Sequence, residues 1–154
     1  WNDNWLHCYK HENNGEEAQI LTAFEDQITL NKSFSGPYIT GASVKLLKHF
    51  VTGYHQGITV TCPGFYGPQG RVLRLPLMHN ELIDQLTTFN YGPHKITNFE
   101  METSAIYGLG KLQGHQCLSL SAIVANRVSQ TFSKDGNAAV ENLIKQSLEI
   151  ISTL

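Results

Sequence analysis

An α/β fold, a sheet covered by helices, is predicted by three observations. Apolar strand-like runs alternate with stretches of helical period. The candidate strands are apolar along their length, as strands buried on both faces are. The chain closes on a long amphipathic segment. Hydrophobic residues make up 41% and charged residues 16% of 154 residues, an ordinary soluble balance with enough chain for one core.

Along the chain, Trp1 to His7 has no clear period, and His11 to Gly15 is polar and turn-like. Glu16 to Ile28 reads as a helix through Ala18, Ile20, Leu21 and Phe24. Phe34-Ser35-Gly36-Pro37 marks a loop, and Pro37 to Thr40 reads as a short strand. Ser43 to Phe50 is a second helix. Ile58 to Cys62 is β-branched and strand-like. His79 to Phe89 carries Leu82, Ile83, Leu86 and Phe89 on one helical face. Thr97 to Met101 is extended, and Thr103 to Leu112 is a helix stopped by Gly114. Cys117 to Ala125 reads as a buried strand. Ala138 to Ile151 closes the fold with Val140, Leu143, Ile144, Leu148 and Ile151 facing inward.

The net charge of −2 leaves no electrostatic footprint for nucleic acid. No apolar run is long enough to span a bilayer. Cys8, Cys62 and Cys117 are odd in number and widely spaced, which points to reduced thiols and a cytoplasmic protein. His7 and His11 lie four apart, but no third ligand is near, so no metal site is expected. Gly64, Gly67 and Gly70 are followed by no Lys-Ser/Thr pair, so they form no nucleotide-phosphate cradle. Ser119, Ser121 and Cys117 read as packed strand residues, and His94 and Lys95 as solvated ones.

Two runs carry candidate chemistry. Asn98-Phe99-Glu100-Met101-Glu102-Thr103-Ser104-Ala105 places two carboxylates where an extended segment hands over to a helix. Such carboxylates can serve the helix dipole, or they can accept hydrogen bonds from paired hydroxyls such as those of a ribose. In Thr59-Val60-Thr61-Cys62-Pro63-Gly64-Phe65-Tyr66-Gly67-Pro68-Gln69-Gly70-Arg71, the stretch after the strand is a loop with an aromatic face, a carboxamide and a guanidinium. That combination complements uracil, whose N–H lies between two carbonyl oxygens. Loop aromatics and arginines also occur without any such role.

With Ala122-Ile123-Val124-Ala125-Asn126-Arg127 as a third piece, the chain resembles the nucleoside phosphorylase family, in its uridine phosphorylase branch. The resemblance implies a mixed central sheet flanked by helices. Family members carry a longer N-terminal part with the phosphate-binding loops. Residues 1–154 therefore read as the C-terminal part of one phosphorylase domain, lacking its N-terminal strands. Such a piece is expected to expose sheet edges and apolar surface and to associate.

The resemblance further implies phosphorolysis of uridine to uracil and ribose 1-phosphate, with phosphate as co-substrate and no cofactor, in a homo-oligomer. Glu102 and Arg71 would be catalytic. Met101, Glu102 and Glu100 would meet the ribose, Glu100 from behind the other two. Phe65, Gln69, Arg71, Val124 and Arg127 would meet the base, with Gln69 on its N3–H and O2 edge and Arg71 on O4. The loop from Ser129 to Gly136, with the turn sequence Lys134-Asp135-Gly136, would be a flap. Purine-cleaving relatives place an aspartic acid near Asn126, and asparagine cannot serve as that acid. A purine phosphorylase or nucleosidase of the same fold, and a nucleoside-binding protein without catalysis, are the alternatives.

Overall fold

A computed structural model describes residue 13, residues 15–30 and residues 36–154. Trp1 to His7, Cys8, His11, Phe34 and Ser35 lie outside the described residues. Five helices are described: α1 (Gly15–Gln27), α2 (Val44–Leu47), α3 (Leu82–Thr88), α4 (Thr103–Leu112) and α5 (Gly136–Ile151). The strands are β1 (Ile58–Thr61), β2 (Asn90–Tyr91), β3 (His94–Glu100), β4 (Ala125–Asn126) and β5 (Thr131–Phe132). The mixed sheet expected from the resemblance is present in the order β1-β3-β2. β1 runs parallel to β3, with Val60 opposite Phe99 and Thr61 opposite Glu100. β2 and β3 form a hairpin in which Tyr91 pairs with His94. Gly92, at φ +57°, supplies the left-handed corner that a two-residue turn requires.

The core lies between this sheet and helices α1 and α3. Ile20, Ile28, Leu86 and Phe89 are buried together, against Phe24, Ile58, Val60, Ile96 and Phe99. Phe24 meets Phe89 edge-on, with ring centroids 5.7 Å apart. Gln27 exchanges hydrogen bonds with the backbone of Asn90, at 3.0 and 3.3 Å, fixing α1 to the hairpin. Glu17, nearly buried, accepts from Gly41 N at 2.8 Å and pairs with Lys111 of α4 at 3.3 Å. α4 lies against β1.

Several expectations need correction. Pro37 to Thr40 forms no strand, and the helix expected over Ser43 to Phe50 is the four-residue α2, capped by Ser43. α3 begins at Leu82, three residues later than His79. Cys117 to Val124 joins no ladder among the described residues and is not buried; Cys117 O accepts from Ser43 N and Val124 O from Ser133 N, and Asn98 of β3 reaches it only by a side-chain bond to Ser121. Only Ala125 and Asn126 enter a ladder, with Phe132 and Thr131. His94 is not solvated alone; its ring bonds Glu16 at 3.0 Å. α5 forms as expected, but none of its residues is buried, and Ile144 and Leu148 are 53% and 61% exposed. Leu143 is half-buried, and Val140, Ile144, Leu148 and Ile151 are exposed. That exposed stripe accords with the expected apolar surface.

Candidate active site

Thr61 is the last residue of β1 and Glu100 the last of β3, and the two are register partners. The loop carrying Phe65, Gln69 and Arg71 therefore leaves the same sheet edge as the Glu100-Met101-Glu102 turn. The carboxyl edge of parallel strands is where α/β folds collect ligand-binding loops. The ladder persists one step beyond β1, since Cys62 N donates to Glu100 O at 2.8 Å.

In the first loop, a 3-10 turn spans Gly67–Gln69 and ends on Gly70 at φ +73°. A side chain at Gly70 would also meet Ile83 Cγ1 at 2.5 Å. This left-handed corner folds Arg71 back over the loop. Its guanidinium stacks 3.6 Å above the Phe65 ring. It donates to Gln69 Oε1 at 2.7 Å and also to Phe65 O. Gln69 is 4% exposed.

Arg127 arrives from the β4–β5 turn, 58 residues away in sequence. It donates to the backbone oxygen of Gln69 and to Gln69 Oε1. It also sits 5.2 Å from the Phe99 ring centroid. Both guanidiniums converge on one carboxamide oxygen, and arginine offers no acceptor. That fixes the amide: Oε1 faces the cations, and Nε2 is the group left to meet anything else. Burial, followed by the charge of Arg71, lowers the Arg127 pKa.

In the second loop, Glu100 Oε2 accepts from Glu102 N at 2.6 Å and Thr103 N at 2.5 Å. Glu100 Oε1 accepts from the Thr61 hydroxyl, which in turn accepts from Ser104 N at 3.0 Å. Burial pushes the Glu100 pKa up, but these hydrogen bonds outweigh it and the net shift is downward. Glu102 occupies the N-cap position of α4 at φ −133°, yet its side chain caps nothing. It is exposed, and one of its oxygens accepts from Met101 N at 3.3 Å. Met101 is exposed beside it.

The structure thus gathers Phe65, Gln69, Arg71 and Arg127 into one cluster. Glu100, Met101 and Glu102 stand at the adjoining strand end. Val124 is exposed and packs near Gly136, at the start of α5. A hollow of about 690 Å³ is lined by Tyr66, Gly67, Arg71 and the segment Leu73–Leu77, so it touches the base loop through Arg71 but does not include Gln69 or Glu102. Thr61, Ser104 and Phe99 were given no role by the sequence, although all three stand within the two runs. Asn126 is a turn former here, its Oδ1 accepting from Val128 N and Ser129 N at 3.0 and 3.1 Å. At the end of the Ser129 to Gly136 segment, Asp135 is the N-cap of α5, accepting from Ala138 N at 2.9 Å.

Residues 18–152 match the family described as the Phosphorylase superfamily. The chain belongs to that superfamily. A relative named uridine phosphorylase, from Thermococcus kodakarensis, is 29% identical over 117 residues. The match covers 74% of this chain and 40% of that relative. A solved nucleoside phosphorylase from Trypanosoma brucei, described as showing uridine phosphorylase activity, superimposes with a TM-score of 0.85 at 26% identity. That match covers 98% of this chain and 54% of the solved one. The chain therefore spans about half the length of the phosphorylases it matches, and within that span it has their fold.

Proposed function

We propose that this chain supplies the base- and ribose-binding part of an enzyme that phosphorolyses uridine to uracil and ribose 1-phosphate. The observation that carries the reading is the convergence of Arg71 and Arg127 on Gln69, next to the strand end that bears Glu102. Its support is chemical. Cleaving the bond from C1′ to the base develops positive charge on the sugar and negative charge on the leaving uracil. The cluster around Gln69 is rich in donors, and donors held in place favour charge arriving on carbonyl oxygens. Gln69 Nε2 can meet a carbonyl as it stands. Reading the N3–H requires an acceptor, so one guanidinium must release Oε1 first.

Glu102 would accept from the 2′ and 3′ hydroxyls, Met101 would rest against the sugar, and Phe65 would lie by the base. Arg71 would face O4. Phosphate would attack the opposite face of C1′ as co-substrate. The reading extends to a homo-oligomer acting in pyrimidine nucleoside salvage, by resemblance to the family, and to the cytoplasm, the compartment to which the odd, widely spaced cysteines point. The test is turnover of uridine and inosine by the protein, with and without phosphate. Uridine cleavage that requires phosphate is expected. Cleavage indifferent to phosphate, or a preference for inosine, would overturn the reading.

A further inference from the structure

We infer that Thr61 and Glu100 are positioning residues that hold Glu102 ready for the sugar by capping α4 on its behalf. The inference deepens the proposed function and rests on its assignment of Glu102 to the ribose.

A helix start leaves backbone N–H groups without partners, and the N-cap side chain ordinarily takes one of them. Glu102 holds the N-cap position of α4 and does not do so. The work is done from β3 and β1 instead. One oxygen of Glu100 takes the Glu102 and Thr103 amides, at 2.6 and 2.5 Å. The Thr61 hydroxyl accepts from the Ser104 amide at 3.0 Å and donates a hydrogen bond to the other oxygen of Glu100. Three successive amides are satisfied, and the Glu102 carboxylate, which accepts from Met101 N through Oε2 at 3.3 Å, keeps acceptor capacity for a ligand.

The arrangement also removes Glu100 from the sugar. Two amides and a hydroxyl already converge on its two oxygens, so a ribose hydroxyl would compete with the cap itself. The same bonds tie the end of β1 to the start of α4. A hydroxyl at position 61 serves this purpose because it can accept and donate at once.

The experiment measures binding of uridine and 2′,3′-dideoxyuridine to the chain, with amide hydrogen exchange at residues 102–104. Thr61→Val is expected to weaken uridine binding about tenfold, leave dideoxyuridine unchanged and speed exchange at Glu102, Thr103 and Ser104. Thr61→Ser, which keeps the hydroxyl, is expected to restore both. In a Glu102→Ala background, Thr61→Val should cost nothing more. Glu100→Gln, which loses one acceptor oxygen, should reproduce the uridine-selective loss if the valine variant does not fold. Equal weakening of both nucleosides, or further loss in the Glu102→Ala background, would overturn the positioning role. If the unaltered chain binds both nucleosides equally and Glu102→Ala changes neither, the ribose assignment itself falls.

Discussion

Thr61 stands opposite Glu100 across the parallel β1–β3 pair, and its hydroxyl donates to that carboxylate. This contact joins two loops that lie 39 residues apart in sequence.

The pH dependence of stability follows from that carboxylate. Its folded pKa is held below the ordinary 4.5 despite burial, by the Thr61 hydroxyl and two backbone amides. A depressed folded pKa means the unfolded chain binds the proton more readily. The contribution is therefore complete above pH 4.5 and is lost as pH falls through the lowered value. Acid melts of the native chain and Glu100→Gln are expected to differ near neutrality and to converge as pH falls through that lowered value. Parallel acid profiles would contradict the assignment.

Gln69 offers a separation of structure from recognition. Gln69→Glu keeps the oxygen that both arginines grip and strengthens those bonds with charge. It removes the Nε2 donor. Melting temperature should hold or rise, while uridine affinity falls at least about tenfold, the worth of one hydrogen bond to a ligand carbonyl. Unchanged uridine affinity would make Gln69 a loop-packing residue only.

Gly70→Ala should disorder the base loop. The left-handed backbone disfavours a Cβ, and the added atom would strike Ile83. A loss of about 1–3 kcal/mol in denaturant unfolding is expected. An alanine variant as stable as the native chain would refute the corner.

The core and α5 should respond oppositely to truncation. Phe89, 1% exposed, sits at the centre of the packed cluster, so Phe89→Ala should cost about 3–5 kcal/mol. Ile144→Ser, on the exposed stripe of α5, should change stability by no more than about 0.5 kcal/mol in the monomer. It should also reduce self-association, read by sedimentation. A large stability loss at Ile144 would mean that its face is covered.

Much of this was legible in the residues. β1, β3 and α4 followed from β-branched runs and from a small apolar segment stopped at Gly114, which adopts φ +77°. The grouping of Gln69 with Arg71 followed from their nearness in one loop. Less legible were features that depend on distant partners. A continuous apolar run such as Cys117 to Val124 shows strand character but not whether a neighbour exists to pair with it. Amphipathicity predicted α5 but not what covers it. Two carboxylates flanking Met101 look alike in sequence. Only the register of Thr61 with Glu100 distinguishes the one that is consumed by backbone amides from the one left for a ligand.

The most direct measurement is a binding comparison of uracil, ribose and uridine across Gln69→Leu, Glu102→Ala and their combination. The account predicts that uracil binding falls in Gln69→Leu but not in Glu102→Ala, that ribose binding does the reverse, and that uridine binding falls in either. Loss of uracil binding in Glu102→Ala, or uridine binding that survives the double variant, would contradict a shared site.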